Sequence, residues 1–278
     1  MTMVSRRDAL GWLGGAALGG LLAGVGAVAA LPGEGLAARK TLKEKAPALA
    51  APAWIPHRLD AAECAPLAYA GYWKDGLGCC YGVFESIIGS MGRKYGAPYN
   101  QFPFTMMEVG KSGISEWGTV CGALLGAASA FALFWGRKER DPMVTELFRW
   151  YEKTAFPLYD PGAAAQGVAG PLPTNACGSV LCHISVSTWC HAHGIDAASA
   201  KRQERCSRIT ADVATKAIEI LNAKVDSGFA PLLSSKSEAA CMSCHGKGKP
   251  SPIAKGRMDC TPCHSGSAHV QDKFRNHP

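Results

Sequence analysis

The chain has 278 residues, 47% of them hydrophobic, with a formal net charge of +7 and a mean hydropathy of +0.01. That balance excludes a polytopic membrane protein. No stretch interleaves basic and aromatic residues as nucleic-acid binding requires.

From the N-terminus, Ser5-Arg6-Arg7 precedes an uncharged run from Ala9 to Gly33. The pattern predicts a twin-arginine export signal over residues 1–37 and a folded body in the bacterial periplasm. The run is long enough for a retained anchor, but its Gly and Ala content suits a removed signal better. Residues 38–58 read as a Pro/Ala/Lys linker. A helical, cysteine-containing domain is expected over 59–235 and a dihaem segment over 236–278.

Within the body, helices are expected over 60–70, over 76–92 between glycines, over 116–136 and over 143–156. The 116–136 run resembles a membrane span in composition, but Gly122, Gly126 and Ala130 at helical spacing suit a close-packed buried helix. Residues 160–178 form a Gly/Pro-rich loop, and long loops in compact domains are often functional. Residues 199–225 predict a strong amphipathic helix, with Cys206, Ile209, Val213, Ala217, Ile220 and Leu221 on one face and charges on the other. No strand pattern of similar strength occurs. The fold class is mainly α, with a short, irregular C-terminal haem-binding segment.

That segment holds Cys241-x-x-Cys244-His245 and Cys260-x-x-Cys263-His264. The spacing suits a four-cysteine zinc site or two c-type haems. A zinc site of that kind has no use for His245 and His264. Covalent haem uses both: each Cys pair forms thioethers along one porphyrin edge and the next His rises to the iron. With periplasmic export, the reading is two haems per chain. Cys241, Cys244, Cys260 and Cys263 attach them, and His245 and His264 are the proximal ligands.

Eight further cysteines remain: Cys64, Cys79, Cys80, Cys121, Cys177, Cys182, Cys190 and Cys206. In an exported protein an even number reads first as disulfides. An iron–sulfur cluster is the alternative. The twin-arginine route favours it, because that route carries proteins folded around a cofactor before export.

Gly76-Leu77-Gly78-Cys79, Val120-Cys121-Gly122-Ala123-Leu124-Leu125-Gly126, Cys182 and Cys206 resemble the family named for a Cys, Gly-Cys-Ala-x-x-Gly, Cys, Cys pattern. Val120 stands where that pattern has Gly, and Cys80, Cys177 and Cys190 compete for assignment. With the paired haem motifs, residues 60 to 270 are similar to the split-Soret cytochrome c family. The resemblance implies a helical homodimer with two haems per subunit clustered near the interface. It also implies a [2Fe-2S] or other iron–sulfur cluster, with Cys79, Cys121, Cys182 and Cys206 as candidate ligands.

The sixth haem ligands decide between a closed carrier and an open catalytic iron. His57, His183, His191, His193, His269 and His277 are available, with Met106, Met107 and Met258. His183 and His269 are the distal candidates. His191 and His193 flank one residue at an expected helix start. The expected function is periplasmic electron transfer between redox partners by a dihaem c-type cytochrome, with no catalytic residues. A small multihaem reductase with one open site, and a zinc- and disulfide-stapled exported protein, are the alternatives.

Overall fold

Asp60 starts the first helix, α1 (Ala61–Trp73), by accepting from the Ala62 amide at 2.7 Å, as an N-cap aspartate does. In this computed structural model, residues 54–231, 236–250, 252, 257 and 258 are described, the backbone alone for 236–240. The export signal, residues 38–53 of the linker, Cys260, Cys263, His264, His269 and His277 lie outside them.

Helix α2 (Gly78–Phe84) enters at Gly78 with φ +80° and runs through a π turn (Glu85–Gly89) into α3 (Ser90–Tyr95). Gly96, with φ +75°, closes it. Then come two 3-10 turns (Tyr99–Gln101, Phe104–Gly110), α4 (Gly122–Phe134), α5 (Arg137–Lys153), a loop, α6 (Cys182–His193), α7 (Ala200–Val225) and α8 (Lys236–His245). Among the described residues there is no strand, only the isolated antiparallel bridges Val120–Leu181 and Phe156–Asn175. Nor is any described helix long and apolar enough to cross a membrane. The expectation of a mainly helical fold holds.

Four local expectations are corrected. The 116–136 helix begins only at Gly122, because the backbone before it is left-handed: Ser112, Gly113, Ile114, Ser115 and Glu116 have φ of 53°, 73°, 60°, 48° and 68°. Such a conformation costs about 1–2 kcal/mol for each non-glycine residue. Bonds from Gly118 N to Ser112 O and from Thr119 N to Gly113 O help hold it. The 143–156 helix instead spans Arg137–Lys153 and accommodates Pro142. His191 and His193 end α6 rather than start a helix: Gly194, left-handed at φ 60°, caps it. Residues 236–245, expected to be irregular, are helical.

Helix α7 lies at the centre, packed along α1 and against α2, α4 and α5, with α2 also packed on α4. Close approaches between these helices need glycine, as at Gly71 and Gly126. A Cβ on Gly71 would lie 2.9 Å from Gly82 Cα, and one on Gly126 would lie 2.4 Å from Cys80 O. Phe84, Ile87, Ile88, Met91, Leu124, Phe131, Met143 and Leu147 fill the core around them. The apolar face of α7 is buried as expected, but its charged side is buried too: Glu204, Arg205, Arg208 and Asp212 are all enclosed. Helical periodicity misreads them as solvated because each finds a partner in another segment.

Asp212 is one case. Its two carboxylate oxygens accept from Leu158 N at 2.9 Å and Tyr159 N at 2.7 Å. Burial outweighs those bonds and the neighbouring Arg205 and Arg208, pushing its pKa up to about 7 from 3.8. A carboxyl raised on folding binds its proton more tightly in the folded chain, so its contribution is fully present below the unfolded pKa. That contribution is lost as pH rises through the folded value. The urea midpoint is therefore expected to decline between about pH 4 and 7, and Asp212→Asn to flatten that slope. Equal slopes in the two proteins would refute the assignment.

Candidate iron centre and haem-attachment helix

Three helix starts meet at one cavity. Residues 118–121 pair with 180–183: Cys121 N donates to Val180 O at 2.8 Å, and Cys182 N donates to Thr119 O at 2.6 Å. This pairing sets Cys121 at the N-cap of α4 and Cys182 as the first residue of α6. Cys79 lies in the first turn of α2. Cys206 comes from the second turn of α7. The left-handed loop closes on the same place, where a Cβ on Gly113 would lie 2.9 Å from Cys182 Cβ. Only glycine combines that backbone with that proximity.

The cavity measures about 470 Å³ and is lined by Cys79, Cys121, Cys182 and Cys206, with Lys111, Tyr151, Ser185, Arg202 and Arg205 among its walls. That volume falls in the range of small-molecule and cofactor sites. Cys80, Cys177 and Cys190 do not line it. All the cysteines among the described residues are free thiols, so no described pair realises the disulfide alternative. No three His, Cys, Asp or Glu of the described residues gather at single-ion distance. The four thiols are spread around a chamber.

The electrostatics divide the thiols. Cys121 is pushed down to about 6, first by the hydrogen bond from the Cys79 thiol, then by Tyr151 and the Ala123 and Leu124 amides at the start of α4. Cys79, as the donor, is held well above its usual range, and burial raises Cys182. Burial also lifts Cys80 to about 12, which marks an inert structural thiol.

The residues fit an iron–sulfur group. Four thiolates are its usual ligand set, and two arginines and a lysine offset their charge. Arg205 lines the cavity, and its buried Nε has no partner among the described residues. Sequence reasoning did not single out the arginines. The signal was present: Arg202, Arg205, Cys206 and Ile209 form one stripe at helical spacing on α7.

His183, a distal haem candidate, is exposed at the rim of the same cavity. On α8, Cys241 is half-buried, Cys244 exposed and His245 half-buried. Offsets of three and four residues put the two thiols and the imidazole on one helix face. One face of a helix bearing both sulfurs and the imidazole suits covalent haem attachment.

A helical body with a cysteine-lined chamber, followed by two Cys-x-x-Cys-His motifs, defines a redox-protein class. Residues 79–220 match the family described as "Putative redox-active protein (C_GCAxxG_C_C)". The chain is 55% identical to the split-Soret cytochrome c of Desulfovibrio desulfuricans over 282 residues, covering 99% of each. It also superposes on a solved structure described as a novel iron centre in the split-Soret cytochrome c from that organism. The TM-score is 0.76 at 60% identity, covering 81% of this chain and 95% of the other. The chain belongs to the split-Soret cytochrome c family, within the wider family of the cysteine pattern.

Proposed function

We propose that the protein is a periplasmic, homodimeric electron carrier holding two c-type haems per chain and an iron–sulfur centre. The observation that carries this is the convergence of four cysteines, from four separate helices, on one chamber in a chain that also bears two Cys-x-x-Cys-His motifs. Haem and iron–sulfur groups supply one-electron chemistry when bound. Cys241 and Cys244 hold the first haem by thioethers and His245 ligates it, and Cys260, Cys263 and His264 do the same for the second. Cys79, Cys121, Cys182 and Cys206 hold the iron–sulfur centre. Lys111, Arg202 and Arg205 offset its charge. His183 and His269 are the proposed sixth haem ligands, which would close both irons and leave transfer rather than catalysis.

The relatives, a split-Soret cytochrome c and a solved iron centre in it, support haem and iron in this chain. The twin-arginine motif supports the compartment and the route, since the cysteine chamber can be loaded before export and the haems after it.

The test is protein made with the haem-attachment machinery and measured three ways: intact mass, iron and acid-labile sulfide content, and oxidised and dithionite-reduced spectra. Two haem adducts per chain, a low-spin reduced spectrum, and iron with sulfide beyond the haem complement are expected. Native mass spectrometry is expected to give a dimer. A high-spin component that binds carbon monoxide would favour the reductase. A chain without haem mass but with bound zinc would refute the proposal.

A further inference from the structure

Arg205 is 1% exposed, and its head is held on two sides. Nη2 donates to Ser185 Oγ at 3.2 Å, and the guanidinium carbon lies 5.2 Å from the centre of the Trp189 ring. Its Nε–H has no acceptor among the described residues. The other two arginines of this stretch of α7 differ. Arg208 Nε donates to Glu204 at 2.8 Å, and Arg202 Nε donates to Ala197 O at 2.6 Å. A buried donor without an acceptor is destabilising, and more so when it is charged. Arg205 is among the residues that line the chamber, so a guanidinium fixed by a ring stack and a hydroxyl keeps one unused N–H in a residue that borders the site. The donor set there is four thiols, and sulfur of an iron–sulfur centre accepts hydrogen bonds.

We infer that Arg205 is a hydrogen-bond donor to the iron–sulfur centre and holds its reduction potential up. The inference rests on the reading of the chamber as that centre. The reduced centre carries one more negative charge than the oxidised one. A charge-assisted donor at its sulfur therefore stabilises the reduced state more.

The test is a redox titration of the full, haem-loaded protein, following the centre by electron paramagnetic resonance and the haems by absorbance. Arg205→Lys keeps the positive charge and loses the fixed Nε–H. It is expected to shift the one-electron equilibrium of the centre about tenfold toward the oxidised state, about 59 mV downward. The haem potentials should stay where they are. A centre whose potential is unchanged in Arg205→Lys, or haem potentials that fall by as much, would overturn the inference. Should the variant fail to load the centre, the wild type answers instead. With ¹⁵N-arginine, the reduced centre is expected to show a hyperfine coupling to a guanidine nitrogen, and its absence overturns the assignment. Wild-type protein with no iron beyond its haems would overturn the reading of the chamber and this inference together.

Discussion

Glu204→Ala is expected to lower stability by about 3–5 kcal/mol, the cost of stranding a buried charge. The Glu204 carboxylate is fully enclosed, and its oxygens accept from Arg208 Nε at 2.8 Å, Tyr69 OH at 2.9 and 3.1 Å, and Gly167 N at 2.9 Å. Truncation leaves the Arg208 guanidinium, 2% exposed, facing a void, with the more distant Asp160 at 3.6 Å and the neighbouring Asp212 as its remaining acidic partners. It also releases the Gly/Pro-rich loop, because Tyr69 OH in turn accepts from Gln166 N and Arg208 donates to Val168 O. The loss should appear as a lower urea midpoint, and as early proteolysis within residues 160–173. The double variant Glu204→Met with Arg208→Met removes both charges and retains volume. It should be less destabilised than Glu204→Ala alone, since a buried pair replaced by apolar groups is often neutral. The hydrogen bonds of Tyr69 and Gly167 to the carboxylate are still lost, so full recovery is not expected. A double variant as unstable as the single one would show that the loop contacts, and not the stranded charge, dominate.

That cluster also shows where the sequence stops being legible. The apolar stripe of α7 sets its period and was readable, as was a glycine-bounded helical segment over 76–92, which in the structure opens at Gly78 and closes at Gly96. The burial of Glu204 and Arg208 was not. It depends on a loop some forty residues away in sequence that brings amides and carbonyls to them, and no local window contains that information. The same holds for the chamber. Cysteine identity and pattern pointed to Cys79, Cys121, Cys182 and Cys206. Their meeting, however, depends on the short pairing of 118–121 with 180–183 and on the left-handed turn at 112–116. That turn was missed because the uncharged run after Glu116 has the composition of a helix, and composition carries no sign of φ. Arg205 was overlooked because a charge on an amphipathic helix reads as solvated until the opposite wall is known.

Cys121→Ser is expected to strip the non-haem iron and sulfide while leaving both haem adducts and the fold in place. Cys121 is the N-cap residue of α4, where its side chain makes no capping hydrogen bond. Serine is a favoured N-cap, so the hydroxyl suits the position. It cannot take over the ligand role: iron–sulfur centres are held by soft thiolates, and an alcohol oxygen at neutral pH is neither soft nor ionised. The thiol at 121 is also the one whose pKa lies near 6, so it reaches the metal-binding state most readily. The proposed function puts haem attachment at the tail motifs rather than at this chamber, so the haem mass should be unchanged. Cys80→Ala is the matched control. Cys80 is fully buried and adjacent in sequence to Cys79, yet it is not part of the cavity wall. Its loss should cost about 1–2 kcal/mol as a small cavity and leave the iron content alone. Iron retained in Cys121→Ser and lost in Cys80→Ala would move the centre to the other side of α2, and with it the argument for Arg205. The reverse pattern ties the centre to the chamber where the three helix starts converge.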